Sequence, residues 1–156
     1  RLGYGEDTHR LVAGRPLVLG GVTIPFHLGL LGHSDADALA HAAMDAMLGA
    51  CALGDIGKLF PDTDPQYAGI CSLTLLTQVL RRTLAQGYAL SNLDATIVAQ
   101  QPKLAPHIPA MRAKLAAAMA CGQERISIKA TTPEGCGPEG ALESITVRCV
   151  CSMEAI

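Results

Sequence analysis

The sequence predicts one α+β domain, with a mixed sheet and its helices packed on one face. Three observations predict it. Strand-like and helix-like runs succeed one another along 156 residues with no internal repeat, low-complexity segment or linker, and such layers enclose a single core. Apolar residues make up 49% and charged ones 17%, with a mean hydropathy of +0.29, the balance of a globular chain rather than a disordered one. Trp is absent and Phe and Tyr are scarce. The core must therefore be built from Ala, Leu, Val, Ile and Met, whose smaller members let helix and sheet approach closely.

Each element follows from its local pattern. Residues 1–9 read as a strand leading to a turn near Gly14. "PLVLGGVTIP" reads as a short hairpin, two apolar runs joined by Gly20 and Gly21, a two-residue turn signal. "HLGLLGHSD" reads as a Gly-rich loop. "DADALAHAAMDAMLGACAL" has helical spacing, with Leu39, Ala43, Met47 and Ala50 on one face. Ser34, with Asp37 three residues later, resembles a capping box that starts this helix. "GDIGKLFPDTDP" is dense in Gly, Asp and Pro and reads as a long loop, a place where function concentrates. Residues 70–86 read as an amphipathic helix ended by Gly87. "LDATIVAQQ" reads as a strand, "PHIPAMRAKLAAAMACG" as a helix closed by Gly122, and "RISIKATT" as a strand. "PEGCGPEGAL" reads as a loop before a last strand, "ESITVRCVCSM".

Bulk properties exclude several classes. Twelve Lys and Arg against fourteen Asp and Glu give a net charge of −2. With no basic run and no aromatic stacking series, nucleic-acid binding has no support. The longest apolar run falls short of the roughly 20 residues of a membrane span. The six cysteines form no C-x-x-C pair, and Cys149 and Cys151 are poorly spaced to bridge each other. They read as small buried or surface thiols of a reducing compartment.

The polar residues that stand out lie in five places. In "GEDTHR", Asp7 and His9 are two apart. On a strand they share a face, roughly 6–7 Å apart at the backbone, a spacing that suits two ligands of one metal ion. His41, inside the first helix, is the candidate third ligand, although a helical His taken alone is more often a structural or surface residue. Two His and one Asp fill three positions of a tetrahedral zinc and leave the fourth open. His33 and Ser34, at the mouth of that helix, suit an anion held by free N–H groups and the helix dipole. Thr131 and Thr132 offer hydroxyls to phosphate oxygens, and Glu134 offers a carboxylate to a hard cation such as Mg²⁺. Asp55, Asp62 and Asp64 offer acceptors for sugar-like hydroxyls. Together these residues imply one metal and one or more phosphates.

"GEDTHR", "LGHSDADALAHA", "LGDIGKLFPDTDP", "IVAQQPKLAPHIPAMR" and "IKATTPEG", in this order and at these intervals, resemble the 2-C-methyl-D-erythritol 2,4-cyclodiphosphate synthase family of the non-mevalonate isoprenoid pathway. The resemblance runs from the start to about Glu134 and more loosely through the last strand. It implies a mixed four-stranded sheet with helices on one face. It also implies a homotrimer with its sheets around a three-fold axis and active sites between neighbours. The implied reaction is the cyclisation of 4-diphosphocytidyl-2-C-methyl-D-erythritol 2-phosphate. The substrate's own 2-phosphate attacks the β-phosphorus and CMP leaves.

By the same resemblance, Asp7, His9 and His41 hold a divalent metal, usually zinc, and Glu134 helps hold Mg²⁺ or Mn²⁺ with the substrate diphosphate. His33, Ser34 and Thr132 bind phosphate, His33 and Thr132 stabilising the transition state. Asp55, Gly57 and Asp62 hold the erythritol. The segment from Ala99 through Lys103 and Leu104 to Ala105, with Thr131, forms the cytidine and α-phosphate pocket. A bacterial cytoplasmic setting is expected, or a plastid stroma if a transit peptide was removed. A complex with the preceding cytidylyltransferase is left open. A zinc phosphohydrolase and a catalytically weakened trimeric binding protein are the alternatives.

The chain departs from the family pattern at Pro138, where Phe is usual, at Ala141, where Arg is usual, and at Glu6, often aromatic or apolar. In the family these positions line an axial cavity that can hold an isoprenoid diphosphate. Loss of the cation and gain of carboxylates predict that this site is absent here.

Overall fold

In the computed structural model, which describes all 156 residues, a five-stranded sheet takes the order β4-β1-β7-β5-β6. Its strands are β1 (Leu2–Ala13), β4 (Leu28–Leu30), β5 (Tyr88–Val98), β6 (Ile126–Thr131) and β7 (Ser144–Ala155). The sheet is mixed: β5 and β6 run parallel, and the β1–β4, β1–β7 and β5–β7 pairs are antiparallel. The expected four strands are thus corrected to five. The extra strand, β4, lies in the stretch read as a Gly-rich loop. It is only three residues long and includes Gly29, so no alternating pattern marks it. A separate hairpin joins β2 (Leu17–Leu19) and β3 (Val22–Ile24) through Gly20 and Gly21. Both glycines have positive φ, +58° and +73°, which a two-residue turn of this hand requires.

Helix α1 (Ala38–Ala50) lies against β1 and β7. It is buried nearly all round; only Asp45 and Gly49 are not. The one-face reading of Leu39, Ala43, Met47 and Ala50 was therefore too narrow, since a helix apolar on every side belongs in a core. Ser34 does not start it. Asp37 is the cap, its side chain accepting from the Ala40 N–H. Asp37 also accepts from the Gly20 and Gly21 amides at 2.9 and 2.7 Å, which pins the hairpin to the helix.

Helix α3 (Ser72–Ala85) packs on α1 and β5, and α4 (Ile108–Ala118) packs on β6. Helix α4 ends near Ala120, which takes a positive φ of +52°, not at Gly122. Two short helices, α2 (Ile56–Leu59) and α5 (Gly137–Gly140), lie inside stretches read as loops. Strand β5 begins five residues before Leu93. No helix is long and apolar enough to cross a membrane, and all six cysteines are free.

The sheet has one covered and one open face. Along β7, Val147, Cys149, Cys151 and Met153 are buried, while Arg148 and Val150 between them are exposed. The period of two carries across register: Gly3 opposes Cys151 and Gly5 opposes Cys149, on the covered face. A Cβ on Gly3 or Gly5 would strike the Ala46 or Ala42 carbonyl of α1. The absence of side chains there is what lets helix and sheet touch.

Candidate functional site

Asp7 and His9 continue the covered-face series of Gly3 and Gly5, so both point toward α1, where His41 meets them. The shared face expected of a D-x-H strand is the one observed. Asp7 Oδ2 lies 2.8 Å from His9 Nε2 and 3.1 Å from His41 Nδ1, and the two ring nitrogens are 3.2 Å apart. One atom from each residue falls in a cluster no more than 4.8 Å across. Zinc bonds of about 2.0–2.1 Å in a tetrahedron place neighbouring ligand atoms about 3.3 Å apart, so the donor set fits such an ion.

The electrostatics agree with a cation site. Burial alone would raise the Asp7 carboxyl, but hydrogen bonds from His41 and His9 override it and lower it to about 2. Burial would lower His9, but the Asp7 carboxylate beside it raises it. His9 Nδ1–H donates to the Leu31 carbonyl at 2.8 Å, which leaves Nε2 as the nitrogen facing the cluster.

The three ligands line an open cleft of about 470 Å³ together with His33, Ser34, Gly57 and Asp62. Arg15 shapes its rim by donating to the Leu30 and Ser34 carbonyls at 2.7 and 3.0 Å. His33 Nε2–H donates to the Asp64 carbonyl at 2.9 Å. The anion reading of His33 and Ser34 needs one correction. The buried Asp37 carboxylate occupies the N-terminus of α1, so a phosphate here would meet side chains rather than free helix amides. Asp55 and Asp64 do not line this cleft. Asp55 caps α2 through the Lys58 amide, and Asp64 caps a 3₁₀ turn through the Gln66 amide.

A second cleft, of about 320 Å³, is lined by Ala99, Lys103, Leu104, Ala105, Thr131 and Thr132 among others. It shares no residue with the first. Thr131 pairs with Val98, Val98 with Thr146 and Thr146 with Thr8. The two clefts therefore stand level on the sheet but three strand spacings apart, about 14 Å. One chain does not unite them. Glu134 is exposed, lies outside the metal cluster and has a φ of +55°. Its neighbour Gly135 donates its N–H to Gln100 Oε1, tying that loop to the second cleft.

Three residues at the site escaped the sequence reading. Ser72 Oγ is 2.9 Å from His41 Nε2 and donates to Asp35, and Asp45 accepts the Ile56 N–H at 2.8 Å. Asp45 alone carried a signal, one turn after His41 on the same helix.

Comparison with known proteins places these features. The model of the YgbB family matches residues 1–154. A 2-C-methyl-D-erythritol 2,4-cyclodiphosphate synthase of Geobacter sulfurreducens is 58% identical over 154 residues, 99% of this chain and 98% of that one. A solved 2C-methyl-D-erythritol-2,4-cyclodiphosphate synthase with CDP bound superposes with a TM-score of 0.90 at 43% identity, over 99% of this chain and 100% of the other. The bifunctional IspDF of Campylobacter jejuni superposes at 0.96 with 40% identity. There the match covers 99% of this chain but 42% of that one.

Proposed function

The chain belongs to the YgbB family, and from that premise we propose that it is a metal-dependent 2-C-methyl-D-erythritol 2,4-cyclodiphosphate synthase. It closes 4-diphosphocytidyl-2-C-methyl-D-erythritol 2-phosphate into the cyclic diphosphate and releases CMP. The observation that carries this reading is the convergence of Asp7, His9 and His41 in a cleft that also presents His33, Ser34, Gly57 and Asp62. The attacking phosphate belongs to the substrate, so the protein's task is to fold that molecule and neutralise its charge rather than to supply a nucleophile.

Asp7, His9 and His41 would hold a zinc ion, which when bound supplies positive charge and Lewis acidity toward a phosphate oxygen. Ser34 offers its hydroxyl to phosphate from the same cleft, and His33 stands beside it. Gly57 and Asp62 suit the erythritol hydroxyls, and the α2 loop carries Asp55 next to them. Thr131 and Thr132 present hydroxyls beside the Ala99–Ala105 backbone, a setting for the cytidine and its α-phosphate. Glu134, on the adjoining loop, suits the Mg²⁺ or Mn²⁺ that accompanies the diphosphate.

The two clefts of one chain share no lining residue and stand about 14 Å apart across the sheet. This supports a homotrimer in which the metal cleft of one subunit faces the nucleotide cleft of the next. The open sheet face, with Leu2, Tyr4 and Val150 exposed at 78, 57 and 47%, supports the same assembly. The bacterial relatives support a cytoplasmic setting.

The test follows CMP and product by ³¹P NMR with and without a chelator. Cyclic diphosphate plus CMP is expected, and both should vanish with the chelator and in His41→Ala. Free phosphate without a cyclic product would replace this reading with a phosphohydrolase. Inactive His41→Ala and Thr132→Ala chains, mixed and reassembled, should regain activity in about a quarter of sites if each site draws one half from each of two subunits. No recovery would place both halves in one subunit.

A further inference from the structure

Behind the metal cluster, on the side of His41 away from Asp7, lies a short hydrogen-bonded chain that the proposed chemistry does not use. His41 Nε2 is 2.9 Å from Ser72 Oγ and 3.2 Å from Ser34 Oγ. Ser72 Oγ donates its proton to Asp35 Oδ1, and the Ser72 amide donates to Asp35 Oδ2 at 3.0 Å. Ser72 is fully buried, on the first turn of α3. The preceding cap residue, Cys71, offers that turn no side-chain bond. Asp35, from the loop before α1, takes its place.

The directions of these bonds follow from the groups. An ionised carboxylate only accepts, and a serine hydroxyl has one proton. With that proton committed to Asp35, Ser72 Oγ meets His41 with a lone pair, so His41 Nε2 must carry hydrogen. With a metal ion bound, Nδ1, the nitrogen beside Asp7 and His9, would then present its lone pair to the ion. The Leu31 carbonyl does the same for His9 from the opposite nitrogen. Ser34 Oγ accepts the Ala36 amide at 3.2 Å and keeps its own proton for the cleft.

We propose that Ser72 and Asp35 are positioning residues for the metal site: they hold His41 in the Nε2–H form and in one ring orientation, and so set how tightly the ion is bound. This rests on the zinc reading of Asp7, His9 and His41. Partners of this kind, bonded to the far nitrogen of a ligating histidine, typically govern affinity by about 10- to 100-fold.

The experiment measures the zinc dissociation constant of the full chain by chelator competition, for the parent, Ser72→Ala and Asp35→Asn. Proton exchange at His41 Nε2 is followed by ¹H–¹⁵N NMR in the loaded forms. Ser72→Ala should bind zinc about 10- to 100-fold more weakly, with a faster-exchanging Nε2–H and a metal-free chain that still melts cooperatively. Asp35→Asn should shift affinity in the same direction. Affinity within twofold of the parent in Ser72→Ala would overturn the proposal while leaving the zinc reading intact. A parent chain that takes up no stoichiometric zinc would overturn both. Should Ser72→Ala fail to fold, Asp35→Asn decides, and unchanged affinity there overturns the proposal.

Discussion

Asp7 holds its carboxyl near 2 in the metal-free fold because two histidines surround it, whereas an unfolded Asp sits near 3.8. A carboxyl lowered on folding adds stability above its unfolded value and loses it as pH falls toward the folded one. Its side chain is 23% exposed, and the difference corresponds to about 2 kcal/mol. His9 is shifted the other way. Its contribution is complete below pH 6.5 and lost as pH rises through its raised folded value. Both shifts describe one interaction, so the pair stabilises the metal-free chain most between those limits. We expect chelator-treated protein to lose about 2 kcal/mol more than Asp7→Asn between pH 5 and pH 2, measured by denaturant melts. Parallel losses would show that Asp7 gains nothing from its neighbours. At this scale the ligand residues were legible, because a D-x-H strand has only two faces. Ser72 was not, because a lone serine at a helix start carries no pattern.

Strand β1 and helix α1 depend on each other through glycine. Gly5 lacks the Cβ that would collide with the Ala42 carbonyl, while Gly49, on the same helix, has only the Tyr4 carbonyl near its would-be Cβ, at 3.9 Å. The same substitution should therefore act with opposite sign at the two positions. Gly5→Ala should destabilise by about 1–3 kcal/mol through overpacking, and it should also push β1, with Asp7 and His9, off His41. Gly49→Ala should stabilise by up to about 1 kcal/mol through helix propensity. Thermal melts of both variants check this. A neutral Gly5→Ala would show that the sheet can yield. The small-residue composition already announced close approach, but which glycine faces the helix became visible only with the register.

The open face of the sheet, where the proposed trimer would close, carries charges that the sequence reading took singly. Glu6 accepts from Arg148 Nε at 3.0 Å and from the Tyr4 hydroxyl, so it is a paired carboxylate rather than a bare one. Arg148, which stands opposite it on β7, was passed over. The pair commits the guanidinium, and Ala141 supplies no cation in place of the usual Arg. We therefore expect no axial isoprenoid diphosphate site: calorimetry with farnesyl diphosphate should give no saturable heat at micromolar concentration. Saturable binding at that level would mean that Arg148 leaves Glu6 for the ligand.

The order of motifs pointed by itself to the chemistry this chain carries, since residue types, their spacing on a strand and the hydroxyls of a Thr-Thr strand end are local properties. The hairpin at Gly20–Gly21 and the helix stop at Gly87 were legible for the same reason, each resting on one residue's backbone freedom. Tertiary structure alone decided the fifth strand, the transfer of the α1 cap from Ser34 to Asp37, and the Asp35–Ser72–His41 chain. Each of these joins residues distant in sequence, and a three-residue strand or a single hydroxyl acquires its role only from the partner packed against it. The separation of the two clefts belongs to the same class. Strand order fixes that distance, and no spacing along the chain records strand order.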